Sequence, residues 1–366
     1  MKPADLRLGL VGPVPPPNGG MAMQTRQLAA LLAADGIHVQ QVATNAPCRP
    51  RWVSRVPLLR ALFRLVPYLF AVWRLTHRVD VIHLMANSGW SWQLYAAPVL
   101  WIAWLRKMPV IVNYRGGEAQ AYFQRSFSRV WPSLQKAALV VVPSAYLEAV
   151  FAGFGQTVRV IPNIVDRSVF RPQHGARENK RYTLVITRNL EAIYGIETAI
   201  RALARVRETS RAVQLRIAGS GPQEVYLRRL VRSLGLEQAV RFEGRLEREA
   251  VVALYARADA MLNPSLVDNM PNSIIEALSC AVPVISTDVG GVPYVVAHEE
   301  TALLVPQQDP DKLADAILRL RNDTVLQQRL RANGLAQVEQ YTWASVRNQW
   351  LDAYAQVVCQ QRAAAL

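Results

Sequence analysis

Residues 263–296 read NPSLVDNMPNSIIEALSCAVPVISTDVGGVPYVV, and the pattern predicts a strand, a polar loop, a helix and a second strand. The first strand reaches Asn263-Pro264, and Pro271 falls near the first turn of the helix, where a proline is tolerated. The apolar run 284–286 predicts the next strand. A strand–helix–strand succession of this kind is typical of a parallel sheet in an α/β domain.

The same alternation extends outward from this stretch over the whole chain. Twelve short apolar runs predict strands, and helical patterns lie between them. The predicted strands are 6–11, 39–43, 79–84, 110–113, 139–143 and 158–161 in the first half, and 182–187, 214–218, 240–242, 260–264, 284–286 and 303–305 in the second. The fold class is therefore α/β, with parallel sheets.

The chain has 366 residues, which is too long for one ordinary core and fits two domains. Residues 162–180 contain two prolines, a glycine and several charges without periodicity, and we interpret them as a linker. We expect one domain over 1–164 and a second over 165–344. A C-terminal helix, about 345–366, is expected to pack back on the first domain.

Composition narrows the class of protein. Hydrophobic residues make up 51% of the chain, which excludes a disordered protein. Cys48, Cys280 and Cys359 are few and far apart, which argues against a disulfide framework and fits a reducing cytoplasm. No apolar leader follows the start, so we do not expect a signal peptide.

Positive charge is concentrated in the first half. Residues 1–165 hold 17 Lys and Arg against 5 Asp and Glu, while 166–366 hold 25 against 22. No nucleic-acid motif accompanies this charge. Arginines alternate with aromatic and apolar residues over 49–78, which indicates either a segment at an anionic membrane surface or a solvated cationic helix. The apolar segment 90–104 is too short to span a bilayer, and it predicts a buried helix or one lying at a membrane surface.

Residues 263–296 contain two carboxylates that are candidates for ligand binding. Asp268 lies in the loop and Glu276 lies about one and a half turns into the helix. The loop can fold back so that both face one crevice, with the amides of Asn272 and Ser273 directed at phosphate oxygens. Alternatively, Asp268 caps the helix and Glu276 is exposed. Glu276 lies between apolar neighbours, where a carboxylate is costly unless it is paired or lines a cleft.

Other candidate ligand contacts follow predicted strands. Arg188 comes directly after strand 182–187, at the end where open α/β sheets bind ligands, and a guanidinium can hold a diphosphate there. Gly219 and Gly221 form a turn that either admits a ribose or is only a tight turn. Gly19-Gly20 precede a helix that can bind phosphate, without forming the GxGxxG dinucleotide fingerprint.

These residues together resemble glycosyltransferase family 4, which comprises retaining enzymes of the GT-B fold. The family hallmark, Glu-x7-Glu followed by an Ala-rich helix, a Pro-Val strand and Gly-Gly, is matched by Asp268-x7-Glu276, ALSCAVPVI and Gly290-Gly291. Further positions match in order along nearly the whole chain: Gly19-Gly20, Ile161-Pro162-Asn163, Asp166, Phe170, Arg188, the 219–222 turn and Tyr341-Thr342-Trp343.

The resemblance implies two Rossmann-like domains whose parallel sheets face an interdomain cleft. It implies that Arg188 binds the donor diphosphate, that Glu276 holds the nucleotide ribose, and that Asp268 with Asn269 and Met270 contacts the transferred sugar. Gly19, Gly20, Gly219, Gly221, Asn272 and Ser273 would complete the donor site. The donor would be a UDP- or GDP-linked sugar, without a metal or other cofactor.

The acceptor implied is a glycan or lipid-linked hydroxyl in cell-surface polysaccharide synthesis. The enzyme would act in the cytoplasm, peripherally at the cytosolic face of a membrane, with no nucleic-acid partner. Asp309-Pro310-Asp311 looks like a metal motif, but its position before a helix predicts capping instead.

Three positions depart from the family pattern. Asp268 replaces the first hallmark Glu, and Tyr194 stands where the usual diphosphate-binding Lys would be. Arg115, with Gly116, stands where relatives often carry a His, so a contact to donor or anionic acceptor is possible there but a general base is not.

Other functions stay open at the level of sequence. They are a GT-B epimerase or phosphorylase and a non-catalytic partner protein at the membrane. Lys180 and Lys312 are the only lysines of the second half, and neither follows a strand, which weighs against a pyridoxal-dependent phosphorylase.

Overall fold

The computed structural model describes residues 6–16, 19–46, 57–173 and 181–363, without the side chains of 57–62. The chain divides into two compact units. Unit 1 comprises Met1–Ile164 and Val346–Leu366, and unit 2 comprises Val165–Ser345.

Unit 1 is built on a six-stranded parallel sheet whose order is β2-β1-β3-β4-β5-β6. Its strands are β1 (Arg7–Gly12), β2 (His38–Ala43), β3 (Val81–Ala86), β4 (Val110–Tyr114), β5 (Leu139–Val142) and β6 (Arg159–Val160). Strands β3 and β4 are buried along their whole length, as expected for a parallel sheet covered on both faces.

The helices of unit 1 connect these strands. They are α1 (Gly20–Ala34), α2 (Pro57–Leu75), α3 (Ala97–Leu105), α4 (Ala119–Leu134) and α5 (Ala145–Ala152), and the C-terminal helix α12 (Trp343–Ala363) adds Trp350 and Tyr354 to the core. Both side chains pack on His83 of β3, with Trp350 4.6 Å from the imidazole between ring centroids.

Unit 2 repeats the plan with the strand order β12-β11-β10-β7-β8-β9. Its strands are β7 (Tyr182–Thr187), β8 (Val213–Ala218), β9 (Val240–Gly244), β10 (Ala260–Asn263), β11 (Val284–Thr287) and β12 (Leu303–Val305). Its helices are α6 (Ile196–Thr209), α7 (Glu224–Ser233), α8 (Arg248–Tyr255), α9 (Asn272–Ser279), α10 (Pro310–Asn322) and α11 (Thr324–Val338).

Helical periodicity explains how unit 2 covers its sheet. The buried residues of α6 include Ile196, Ala199, Ile200, Leu203 and Val206, which share one face because they recur every three or four residues. Opposite them, Glu197 and Arg201 form an exposed ion pair one turn apart. This face and those of α7 and α10 bury one side of the sheet.

The predicted fold class is confirmed, and each of the twelve predicted strands coincides with an observed one. Capping by Asp309 is also confirmed, since its carboxylate accepts a hydrogen bond from the Lys312 amide at 2.9 Å. The segment 90–104 contains a π-helical turn, Trp92–Ala96, followed by α3. Of its two predicted alternatives, the buried helix was wrong, because Trp101 and Trp104 are exposed. A helix lying at a membrane surface stays a prediction.

Within the described residues, every helix is too short or too polar to cross a membrane. Cys48 and the arginines at 49, 51 and 55 lie outside the described residues.

Candidate functional site

The strand order of unit 2 reverses between β7 and β10, which lie side by side in the sheet. Loops that leave neighbouring parallel strands in opposite directions open a crevice at their carboxyl ends, the usual ligand site of such sheets. Arg188 is the first residue after β7, and Asp268 lies five residues beyond the end of β10. The topology therefore places both side chains at this crevice.

Arg188 connects three parts of the crevice. Its Nη2 forms an ion pair with Oδ2 of Asp268, and its Nη1 lies 3.4 Å from the Ser273 hydroxyl oxygen on α9. The side chain is 12% exposed, and its Nε is buried with no hydrogen-bond partner among the described residues. The guanidinium is thus held in place while one of its donors remains unused.

The loop around Asp268 is fixed by its own hydrogen bonds. The Asp268 carboxylate accepts from the Asn269 amide at 3.1 Å and from the Ser265 hydroxyl at 3.3 Å. Burial raises the pKa of Asp268, and the charge of Arg188 opposes that rise. The Gly291 amide donates to the Asp268 carbonyl at 2.9 Å. Position 291 requires glycine, because a Cβ there would overlap the Asn269 carbonyl.

Helix α9 begins directly after this loop. Pro271 occupies its N-cap and supplies no side-chain hydrogen bond, so Asp268 does not cap the helix. Asn272 and Ser273 form its first turn, where amide groups favour an anion. The hydroxyl of Tyr255, buried on α8, donates to the Ser273 carbonyl at 3.1 Å and lies 2.7 Å from the Thr187 hydroxyl at the end of β7. Tyr255 thereby joins β7 to α9, a role that the sequence did not indicate.

Glu276 lies one turn further along α9. Its carboxylate accepts no hydrogen bond from the described residues, and burial raises its pKa to about 7 despite the opposing charges of Arg248 and Arg188. A desolvated carboxylate of this kind lacks the donors that would stabilise its charge. It can therefore accept hydrogen bonds from ligand hydroxyls. The alternative of an exposed Glu276 was wrong.

Tyr194 and the 219–221 turn pack around Arg188. The ring of Tyr194 lies under the guanidinium, with Cζ 4.0 Å from the ring centroid. A Cβ at Gly219 would overlap the Arg188 carbonyl, and one at Gly221 would lie 2.5 Å from the Leu190 carbonyl oxygen. Both glycines are explained by this close approach of two loops, and a ribose contact at the turn stays a prediction. Met270 and Asn269 are buried in the same loop region.

Unit 1 carries the other predicted residues. Gly19 is the N-cap of α1, whose first residue is Gly20, and among the described residues no heavy atom beyond its chain neighbours lies within 4 Å of where a Gly19 Cβ would be. Helix α1 follows β1. Strand β1 lies beside β3 in the sheet, and the strand order of unit 1 reverses between these two strands. The backbone geometry leaves space for a ligand beside Gly19.

Arg115 follows β4 and ends a chain of buried polar groups. Its Nε donates to Oδ1 of Asn113 at 3.1 Å, and its Nη1 donates to Oδ1 of Asn163. The Asn113 amide in turn donates to Nε2 of His83 at 3.0 Å, and Nδ1 of His83 lies 2.8 Å from the Tyr354 hydroxyl. Burial lowers the pKa of Arg115 to about 10, so it stays charged at neutral pH. Gly116 packs closely on the hydroxyls of Ser88 and Tyr114.

The described residues contain no group of three or more His, Cys, Asp and Glu side chains arranged to hold a metal ion. Of the predicted residues, the structure brings Arg188, Asp268, Ser273 and Tyr194 into one cluster in unit 2, with Glu276 in electrostatic range. Gly19, Gly20, Arg115 and Gly116 belong to unit 1.

Two family models match successive parts of the chain. The model of Glycosyltransferase Family 4 matches residues 18–169, and that of Glycosyl transferases group 1 matches 166–337. The GDP-mannose-dependent alpha-(1-6)-phosphatidylinositol monomannoside mannosyltransferase of Mycobacterium tuberculosis is 30% identical over 230 residues, which are 58% of each chain. The match covers 58% of the length of that mannosyltransferase, and 47% of the length of an uncharacterized glycosyltransferase of Methanocaldococcus jannaschii that is 30% identical over 186 residues.

Solved structures with the same fold cover nearly the whole chain. Sucrose-phosphate synthase from Thermosynechococcus elongatus superposes with a TM-score of 0.79 at 24% identity, covering 97% of this chain and all of that one. HepE of Anabaena, in complex with UDP-glucose, superposes with a TM-score of 0.77 at 18% identity, covering 95% and 99% of the two chains. These similarities show a shared two-domain Rossmann-like architecture.

Proposed function

Because this chain belongs to glycosyltransferase family 4, we propose that it is a retaining glycosyltransferase that moves a sugar from a nucleotide-diphosphate donor to a hydroxyl of a glycan or lipid-linked acceptor. The observation that carries the proposal is the cluster of Arg188, Asp268 and Ser273 where the strand order of unit 2 reverses. A cation, a carboxylate and a helix N-terminus at one crevice match the chemistry of a sugar diphosphate.

The donor diphosphate is assigned to Arg188 and the first turn of α9. Nη1 of Arg188 makes only a long contact to Ser273, so it can donate to a phosphate oxygen. Tyr194 replaces a family lysine, and it fixes the plane of the guanidinium instead of adding a second charge. Arg188 therefore carries more of the neutralisation, assisted by the amides of Asn272 and Ser273, while Gly19 and Gly20 are proposed as further phosphate contacts.

The two carboxylates are assigned to hydroxyl groups. Glu276 accepts from the nucleotide ribose, since its half-buried carboxylate has no hydrogen-bond donor among the described residues. Asp268, with Asn269 and Met270, contacts the transferred sugar. Because Asp268 is one methylene shorter than the family glutamate, the sugar must approach its backbone more closely or present a larger substituent. Arg115 and Gly116 are proposed to contact the acceptor or the donor from unit 1.

Retention is proposed to proceed by attack on the face from which the diphosphate leaves. The bond between the anomeric carbon and the diphosphate oxygen breaks as the acceptor oxygen bonds to that carbon. The departing diphosphate takes the acceptor proton. The protein's part is to position the donor and to stabilise the negative charge developing on the diphosphate, through Arg188 and the helix N-terminus.

The proposal allows either UDP or GDP as the nucleotide of the donor. The mannosyltransferase relative is GDP-mannose-dependent by name, and HepE was solved with UDP-glucose. The proposal is metal-independent, with transfer persisting in EDTA. It also includes cell-surface polysaccharide synthesis and a peripheral position at the cytosolic face of a membrane, which the cationic first half supports through attraction to anionic lipids.

Calorimetry with UDP and GDP, followed by transfer from labelled nucleotide sugars to membrane extracts, tests the proposal. We expect one nucleoside diphosphate to bind, Arg188→Ala to weaken it about 100-fold, and nuclear magnetic resonance to show the donor's anomeric configuration in the product. Arg201→Ala, which removes an exposed arginine of the same unit, is the matched control.

The outcomes separate the competing functions. Absence of both donor binding and transfer would contradict the proposal. Conversion of the nucleotide sugar without an acceptor would identify an epimerase. Unchanged pathway output in Glu276→Ala cells, with loss of output on deletion of the gene, would identify a non-catalytic partner.

A further inference from the structure

Unit 1 exposes a set of large apolar side chains on two neighbouring helices. On α2, Phe63, Val66, Phe70 and Trp73 are all exposed, Phe70 to 61%. Their spacing of three, four and three residues puts them on one side of the helix, while Tyr68, Val72 and Leu75 are buried on the other. The helix therefore has one apolar side in the core and a second that the described residues leave uncovered.

Two exposed tryptophans of α3 extend this surface. Trp101 and Trp104 pack edge to face, with ring centroids 5.8 Å apart. We call the set Phe63, Val66, Phe70, Trp73, Trp101 and Trp104 the aromatic face. Arg106, just after α3, lies over the Trp73 ring of α2 at 5.2 Å, so the two helices meet at this face.

Cations surround the aromatic face. Arg74 lies 5.7 Å from the Phe70 ring centroid, and Lys136 lies 4.5 Å from the Trp104 ring and 5.4 Å from the Trp101 ring. The sequence has no Asp or Glu between residues 57 and 79 or between 81 and 117. The partner of this surface must therefore tolerate many positive charges and supply apolar contact.

We infer that the aromatic face docks unit 1 on an anionic phospholipid surface. Tryptophan rings at the headgroup level, with lysine and arginine reaching lipid phosphates, are the usual composition of interfacial helices. A protein partner would need a large acidic and apolar surface of its own, and a second copy of this chain would meet like charge at this face. Its use in reaching a lipid-linked acceptor rests on the proposed function, whereas attachment itself requires no turnover.

Sedimentation with lipid vesicles tests the inference. We expect the full chain to bind vesicles of equimolar phosphatidylcholine and phosphatidylglycerol, and to bind phosphatidylcholine alone much less. Trp101→Ser/Trp104→Ser is expected to weaken binding to the mixed vesicles about tenfold or more, because interfacial affinity scales with buried apolar area. Added salt should weaken binding further.

Val225→Ser is the matched control, since Val225 is an exposed apolar residue of unit 2 (61% exposed). The double variant must retain the wild-type melting temperature and nucleotide binding, which separates this test from failure of the donor site. The inference is overturned if the wild type does not sediment with the mixed vesicles, or if the double variant sediments equally well. It is also overturned if the double variant abolishes self-association of a protein that does not bind vesicles.

Discussion

The guanidinium of Arg188 is enclosed between the Asp268 carboxylate and the ring of Tyr194, whose centroid lies 4.0 Å from Cζ. One neighbour balances the charge and the other fixes the plane of the group. An arginine that is already oriented loses less conformational entropy when it binds a diphosphate. Tyr194 stands where the family pattern has a lysine. In this chain the residue orients Arg188 and adds no second positive charge.

Tyr194→Ala is expected to weaken binding of the preferred nucleoside diphosphate by about 3- to 30-fold, which corresponds to the loss of a partly buried cation–π contact. Tyr194→Phe keeps the ring and should bind as the wild type does. Isothermal titration calorimetry measures both. Equal affinities for the Ala variant and the wild type would show that the ring has no orienting role.

Gly219→Ala is expected to lower the melting temperature and to impair donor binding. Gly219 has a φ of 153°, and an added Cβ would overlap the Arg188 carbonyl, so the strand-end loop that carries Arg188 must move. The added Cβ of Gly19→Ala meets no atom of the described, non-adjacent residues within 4 Å, so this variant should fold nearly as the wild type does. Differential scanning calorimetry compares the two; a Gly219→Ala protein as stable as the wild type would refute the packing argument.

Glu276 is expected to make the ligand-free protein less stable as pH rises. Its pKa is about 7 when folded, above its ordinary value of 4.5, so the folded state binds the proton more tightly. The free energy of unfolding should fall as pH rises from 4.5 to 7 and stay lower above that. Glu276→Gln removes the free-energy cost of ionising a desolvated carboxyl. At pH 8 this variant should therefore be more stable than the wild type, by roughly 1–2 kcal/mol.

Urea unfolding between pH 5 and 8 measures the effect of Glu276. Glu299→Gln is the control, because the pKa of Glu299 is held below its ordinary value by hydrogen bonding to Arg319. That carboxyl stays ionised across this range in both states, so its removal should leave the pH slope unchanged. Parallel slopes for Glu276→Gln and the wild type would mean that Glu276 titrates normally.

Tyr354→Phe is expected to destabilise the protein by about 1–3 kcal/mol, because it leaves Nδ1 of buried His83 without its partner. Burial lowers the pKa of His83 to about 3, so the imidazole is neutral when folded. The stability it provides is lost as pH falls from 6.5 toward 3. Chemical denaturation at pH 7 measures the loss, with exposed Tyr294→Phe as the reference; equal stability of the two variants would contradict it.

Central strands such as β3 and β4 were predictable because parallel strands buried on both faces read as short apolar runs between turn residues. The position of Arg188 was also predictable, since a polar residue directly after such a run falls at the carboxyl edge of the sheet. The contacts between loops could not be predicted from the sequence. Tyr194 under Arg188, and Tyr255 between Thr187 and α9, depend on how separate segments pack, and no spacing in the sequence encodes that.

The polar chain in unit 1 was missed for a similar reason. His83 lies inside an apolar strand, and its partners Asn113 and Tyr354 are 30 and 271 residues away. For segment 90–104 the sequence left a buried helix and a helix at a membrane surface as alternatives. The hydropathy of Ala97–Leu105 is high on all sides, so periodicity could not separate the buried face from the exposed one.

The return of α12 to unit 1 has a consequence for biosynthesis. Trp350 and Tyr354 fill the core of a unit whose other residues end at Ile164. A ribosome therefore completes all of unit 2 before it releases the last core side chains of unit 1. Until then, His83 of the nascent N-terminal unit lacks the two aromatic side chains that pack on it in the finished protein.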